Sequence, residues 1–378
     1  MPRKLQSRLC LWVGALFITA VVPARTTAAP HHFVAPATSF NLNVTTESVS
    51  DLSGGLTQGT VYDTLMDASF GLGTQNLGLW DGGWFWMDLQ HIVSGNPSGT
   101  LVGDFQGVSN IAAPSGNRVY EFWFRQYLGH TNLKLRAGYI DLNNYFAQVP
   151  YADQISNASL GIIPTISGNA PTSTYAKPGA GMIMSDGWGN WGTEFGLFQG
   201  HPQIRSQLIG HGYMAIAEIE HHSPSWANAA RIIKLGVWQY SQPDPARDGG
   251  PPSTWGTYVI MSQRLAPLFG SAQTHAFAQI GASPPQASIS PYYLGGGLAL
   301  QGLLPNHAQD ILSMSISRAW LRSGTGMRPE TSYEVNYLWN INTHLALQPD
   351  LQYVAQPSGV PQPVPDAFVF ILRLYIGL

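Results

Sequence analysis

Cysteine, charge and long apolar runs are what this chain lacks. Its 378 residues include a single cysteine, Cys10, which excludes a disulfide scaffold and leaves no cysteine pair for a metal or redox site. Charged residues make up 10 % of the chain, against about 25 % in ordinary soluble domains. A net charge of -3 is too small to argue for nucleic acid or a strongly charged partner. No uninterrupted apolar stretch of about 20 residues follows the N-terminal region, and the mean hydropathy is -0.03, so a bilayer-spanning helical bundle is excluded. Catalytic signatures are missing too: there is no Gly-x-Ser-x-Gly elbow, no His-Glu-x-x-His and no Gly-rich phosphate loop. His91, His130, His211, His275 and His344 are scattered, and the His221, His222 pair before Ser223 and Pro224 reads as a solvated turn. No cofactor is expected.

The N-terminus places Arg3, Lys4 and Arg8 ahead of an apolar run from Leu9 to Val22 and a small-residue stretch ending near Ala29. That is the pattern of a cleaved secretory signal, expected over residues 1–29, with a lead-in of undefined structure at 30–55 and one barrel domain at 56–378. Cleavage would also remove Cys10.

What the chain does have is glycine, aromatic residues and two-residue alternation, with 41 Gly, 12 Trp and 16 Tyr. From Arg118 to Leu128, Tyr120, Phe122 and Phe124 share one face, while Glu121, Trp123 and Arg125 share the other. After a turn at Gly129 to Thr131, Leu133, Leu135, Ala137 and Tyr139 oppose Lys134, Arg136 and Gly138. Phe85, Met87 and Leu89 oppose Trp84, Trp86, Asp88 and Gln90. Leu312, Met314 and Ile316 oppose three serines, and Tyr333, Val335 and Tyr337 oppose Glu334 and Asn336. Strand side chains alternate between faces, so the apolar set suits lipid and the polar set suits a watery lumen. With helices excluded, a closed sheet is the remaining way to satisfy backbone polar groups in a bilayer.

Candidate segments begin near residues 40, 61, 83, 118, 132, 181, 191, 212, 231, 255, 274, 291, 310, 331, 345 and 367, which predicts an all-β, transmembrane antiparallel barrel of about sixteen strands around an aqueous channel. Periodicity is weakest near 40 and 181. Tyr62, Trp80, Trp255, Trp320, Trp339 and Tyr375 lie near segment ends, where interfacial girdles would sit. The stretch from Asn143 to Gly179 is long and rich in Pro, Asn, Ser and Gly, and is expected to be an extracellular loop or one that folds into the lumen. The last segment puts Phe368, Phe370, Leu372, Leu374, Ile376 and Leu378 on one face, like an outer-membrane insertion signal.

Three stretches carry a family resemblance. Val108 to Ile111, with Arg118 to Gln126 and Leu135 to Gly138, is similar to an early hairpin of the OprB-type carbohydrate-selective porins. Ala217 to Ile219 with Lys234 to Trp238 resembles a middle hairpin, and Leu345 to Val354 resembles the penultimate strands. The resemblance implies an outer-membrane barrel whose narrow eyelet passes glucose and related sugars by facilitated diffusion. Its other expected partners are outer-membrane lipid and the barrel-assembly machinery, and it would work as a monomer or a homotrimer.

A sugar offers hydroxyls around its rim and apolar CH faces, so a selective pore should set charged hydrogen-bonding groups beside aromatic rings. The candidate eyelet residues are Asp67, Asp88, Glu121, Arg125, Lys134 and Arg136 with Trp84, Trp86 and Trp123, and Asp63 faces the same way. The competing reading makes the charges a brace for the barrel wall. Glu218, Glu220, Lys234, Trp238, Glu334, Asp350 and Gln352 rank lower, because their faces are less clean, with Met214 and Ile216 sharing one with Glu218. Two other classes compete with the porin: an outer-membrane barrel hydrolase, and an exported soluble sugar-binding β-protein. The scarcity of charge argues against the second, since a soluble sandwich must coat one face of each strand with polar groups.

Overall fold

The computed structural model describes residues 38–129, 131–170, 178–200, 212–223, 231–241, 253–270, 272–323 and 326–377. The signal segment 1–29, His130, His211 and Leu378 lie outside the described residues.

Sixteen antiparallel strands form one closed ring. In chain order they are β1 Thr38–Ser53, β2 Gly59–Gly73, β3 Gly83–Ser94, β4 Gly116–Tyr127, β5 Lys134–Ile140, β6 Gly179–Trp188, β7 Trp191–Gln199 and β8 Tyr213–Ser223. They continue as β9 Arg231–Ser241, β10 Thr254–Leu265, β11 Gln273–Ala282, β12 Tyr292–Gln301, β13 Ile311–Ser323, β14 Gly326–Asn342, β15 Leu345–Ala355 and β16 Ala367–Gly377. Each strand pairs with its sequence neighbours, and β1 closes the ring on β16 from Asn43 opposite Gly377 to Ser53 opposite Phe368. Closure leaves no unpaired edge, the condition for crossing hydrocarbon with strands. No helix among the described residues is long and apolar enough to cross a membrane.

The first strand begins at Thr38, inside the segment expected to be a lead-in ending at 55. Its alternation is weak because its inner face mixes Glu47 and Asp51 with Val49, which packs against a loop rather than facing water. β6 is weak for a related reason: a Cβ at Gly181 would stand 2.3 Å from the Phe198 ring, so the position is left without a side chain. Outer faces carry exposed apolar side chains in strand after strand, among them Phe122, Leu135, Leu235, Val237, Ile316, Leu351 and Leu372. Tyr62, Trp80, Trp255 and Trp339 are exposed near strand ends. Tyr375 is not one of that girdle: it points inward, where its hydroxyl donates to Gln348 Oε1 at 2.7 Å.

One expected face is wrong at a single residue. Asp88 stands opposite Glu121 and Leu89 opposite Val119, so Tyr120 is the extra residue of a bulge in β4. A bulge shifts parity by one: Val119 is outward, Tyr120 and Glu121 are both inward, and Phe122 is outward again. His221 and His222 also depart from expectation, since they lie within β8 rather than in a turn. His221 packs on Trp191 with ring centroids 4.3 Å apart, and His222 meets Glu220 at 3.3 Å.

Candidate functional site

The connections 95–115 and 141–178 leave from the same rim, and the first, together with residues 141–170 of the second, turns into the barrel. Apolar packing holds the second one. Phe146, Val149, Ile155, Leu160, Ile163 and Ile166 are buried in one cluster with inward side chains of β7 to β12, including Phe198, Met214, Ile216, Trp238, Tyr258, Ile260, Phe277 and Tyr293. Met214 and Ile216 are therefore inward and apolar because a loop, not water, faces them. The first loop docks Leu101, Val102 and Val108 against Val49, Val354, Val369 and Ile371.

Inward carboxylates then fix the loop backbones. Glu330 accepts from Phe105 N and Gln106 N, both at 2.8 Å, and from Ser358 N at 2.6 Å. Glu334 accepts from Ser156 N at 2.7 Å and Asn157 N at 2.9 Å. Glu218 accepts from Ala147 N at 2.9 Å and from the Tyr258 hydroxyl at 2.7 Å, with Lys234 Nζ at 3.3 Å. Ser109 Oγ donates to Glu47, whose other oxygen accepts from Arg373 Nε at 2.6 Å. Loop amides buried in a lumen need acceptors, and charged ones give the stronger bonds. The loops also hold each other, through Ala158 N to Gly107 O at 2.8 Å and Asn110 Nδ2 to Ile155 O at 3.1 Å.

All nine candidate eyelet residues lie on the inner faces of β2 to β5, but they separate into two groups. Arg125, Lys134, Arg136, Trp86 and Asp67 are partly open to the lumen, whereas Trp84, Trp123, Asp88 and Glu121 are buried. Arg125 and Arg136 stand opposite each other in the β4–β5 register. Arg136 packs against two rings, its Cζ 4.5 Å from the Trp123 centroid and 3.9 Å from that of Tyr145 on the in-folded loop, and the two rings stand 83° apart. Trp123 stacks in turn on Trp86, with centroids 6.0 Å apart and planes 22° apart. Arg125 and Lys134 approach the Tyr127 ring at 5.1 and 5.7 Å. Gly138 makes this close packing of β4 and β5 possible. Its φ is +148°, and a Cβ there would come 2.3 Å from the Phe122 carbonyl oxygen.

Glu121 and Asp88 work inside the wall. Glu121 accepts from Asp141 N at 2.8 Å, at the point where the loop leaves β5, and from Trp123 Nε1 at 3.3 Å. Asp141 accepts from the Tyr120 hydroxyl and from Asn143 N at 2.9 Å. Burial, with the Glu121 charge beside it, raises the Asp141 carboxyl to about 7. Asp67 accepts from Gln90 Nε2 at 3.1 Å, and Trp84 fills the space over Gly71.

Tyr145, Tyr120, Glu47 and Glu330 escaped the sequence reading as site residues, whereas Glu121 was a candidate and Glu218 and Glu334 were lower-ranked inward residues. The signal available for the loop was its apolar content, since Ile155, Leu160, Ile162, Ile163 and Ile166 are unusual in a segment destined for bulk water.

A family model described as the carbohydrate-selective porin, OprB family, matches residues 58–378. The chain belongs to the OprB family. No curated protein matches the chain. Among solved structures, the fold is similar to that of Pseudomonas putida OprB at high pH, with a TM-score of 0.78 at 16 % identity over 90 % of this chain and 94 % of that one. The low-pH structure of the same protein gives 0.60 at 15 % identity, covering 90 % and 93 %. A mutant of the Rh. blastica porin gives 0.52 at 11 % identity, covering 90 % and 100 %. At these identities the structural likeness speaks for the fold alone. OprB family membership and the fold together make the chain a porin and point to a channel rather than an enzyme. They also imply a bacterial outer membrane as its location.

Proposed function

We propose that this barrel passes neutral, glucose-sized sugars by passive facilitated diffusion through an eyelet between the β2–β5 wall and the loop 141–178. The observation that carries the reading is the Arg136 guanidinium set in the corner formed by Trp123 and Tyr145, with Trp86 stacked on Trp123. Contact with the two rings restricts the guanidinium while leaving N–H groups to sugar hydroxyls, and an open ring face, such as that of the partly exposed Trp86, can cover a sugar's CH groups. Arg125 and Lys134 extend the donor track, and Asp67 offers an acceptor. Glu121, Asp88, Trp84 and the body of Trp123 support these groups from behind, which joins the eyelet and bracing readings of the same residue set. Binding must stay weak for a solute to leave again, so half-saturation is expected in the millimolar range, on the order of 4 kcal/mol. Short turns facing the periplasm and long loops facing outward are usual in such barrels, which would put both in-folded loops on the entry side.

Single-channel conductance in a planar bilayer, with glucose titrated against constant salt, tests this. Stepwise channels whose current falls saturably with sugar support the eyelet. Channels indifferent to glucose would reduce the protein to a general diffusion pore.

A further inference from the structure

Four inward side chains on neighbouring strands meet the tip of the loop 141–178. In the β14–β15 register, Glu334 stands opposite Gln352 and Asn336 opposite Asp350, so the four form a square whose directly opposed Cβ atoms are about 5 Å apart. All four, and Ser156 of the loop, are more than nine-tenths buried.

Glu334 is satisfied, by Ser156 N, Asn157 N and Asn336 Nδ2. Two of the remaining oxygens are not: Oδ1 of Asn336 and Oε1 of Gln352 are sealed from solvent with no hydrogen-bond partner, and among the described residues the only side chains within hydrogen-bonding reach of the buried Asp350 carboxyl are the Glu334 carboxyl and the Ser156 hydroxyl. The amide orientations are fixed by their acceptors. Asn336 Nδ2 donates to Glu334 Oε1 and to Gln154 O, both at 2.8 Å, and Gln352 Nε2 donates to Val108 O at 2.8 Å. Turning either amide over would set oxygen against oxygen. The Glu334 and Asp350 carboxyl groups lie against each other, with the Ser156 side chain beside Asp350. The cation facing them, Arg373, is committed to Glu47 at 2.6 Å. Two buried carboxyls with no countercharge of their own are costly.

We propose that this square binds a hard divalent cation of the calcium class, ligated by Asp350, Asn336, Gln352 and Ser156, with Glu334 supplying the second negative charge. The donor set is all oxygen, which suits calcium and disfavours zinc or copper. Calcium takes six to eight oxygens and accepts a bidentate carboxylate together with amide carbonyls. No group of three or more His, Cys, Asp or Glu suited to a metal occurs among the described residues; here two carboxylates are completed by neutral oxygens. Val108 belongs to one in-folded loop and Ser156 to the other, so the ion would tie both loops to the wall below the constriction.

The test uses the folded full chain in detergent, stripped with EDTA and titrated with calcium chloride by calorimetry, with thermal unfolding followed in parallel. One saturable site per chain is expected, with a midpoint that rises with calcium concentration. Asp350→Asn keeps the shape and removes one charge, and should weaken binding roughly tenfold or more and abolish the thermal shift. Gln352→Met should weaken binding while leaving both charges in place, and remains informative if the first variant folds poorly. Asp366→Asn, at the rim, should change neither readout. The competing arrangement is a proton shared by Glu334 and Asp350. It predicts no saturable calcium site in the unaltered protein, and that result, or binding indifferent to both inner variants, overturns the proposal.

Discussion

At the residue scale, a guanidinium loses rotational freedom when two rings form a corner around it. Arg136 is held in the corner where Trp123 and Tyr145 meet, their planes 83° apart. Removing it by Arg136→Ala should raise the glucose concentration for half-block by about three- to tenfold, a cost on the order of 1 kcal/mol, with an unchanged folded-band pattern in electrophoresis. A titration identical to that of the unaltered protein would remove Arg136 from the eyelet. Alternation alone put Arg136, Lys134 and Trp123 inward. Tyr120 broke the pattern because a bulge depends on which partner residues fit opposite each other, and one strand's sequence does not show its neighbour's register.

At the element scale, the loop residues 141–170 are wedged into the barrel by apolar side chains and tied by carboxylates. Asp141 sits at its root with a carboxyl raised to about 7 by burial and by the Glu121 charge. Its folded-state value lies above the usual carboxylate value near 4, so the loop root is most stable with the proton on. That stability is fully present below about pH 4 and is lost as pH rises through about 7. Amide hydrogen exchange of residues 141–147, corrected for intrinsic rates, should thus quicken between pH 6 and 8. Asp141→Asn, which retains a capping oxygen for Asn143 N, should flatten that dependence; a slope that persists in the variant would assign it elsewhere. The loop 95–115 depends on Glu330, whose loss leaves the amides of Phe105, Gln106 and Ser358 without their acceptor. Each such buried amide costs about 1–3 kcal/mol. Glu330→Ala should lower the thermal midpoint and widen the single-channel conductance, because a loosened loop obstructs less; an unchanged conductance would show that this loop does not narrow the path.

At the scale of the whole molecule, lipid is the solvent of the outer wall. Val237 lies mid-strand on β9 and is 55 % exposed. Val237→Arg should therefore destabilise folding into vesicles by about 2–4 kcal/mol, measured by guanidinium titration. A penalty near zero would place that band outside the hydrocarbon. The interior is ordered by two loops that carry their apolar residues inward, onto apolar side chains of the wall.

The sequence by itself determined the class of fold, the strand number and most of the inward and outward faces, because period-two alternation is a local property that each segment writes for itself. It also located the long loop. Tertiary structure alone decided that this loop lies inside, that apolar side chains of β7 to β12 receive it, and that Glu121, Glu218, Glu330 and Glu334 hold backbone amides rather than face water. Those outcomes depend on contacts between residues 20 to 225 positions apart. No segment's own pattern encodes such a partner; closing the ring brings the two together.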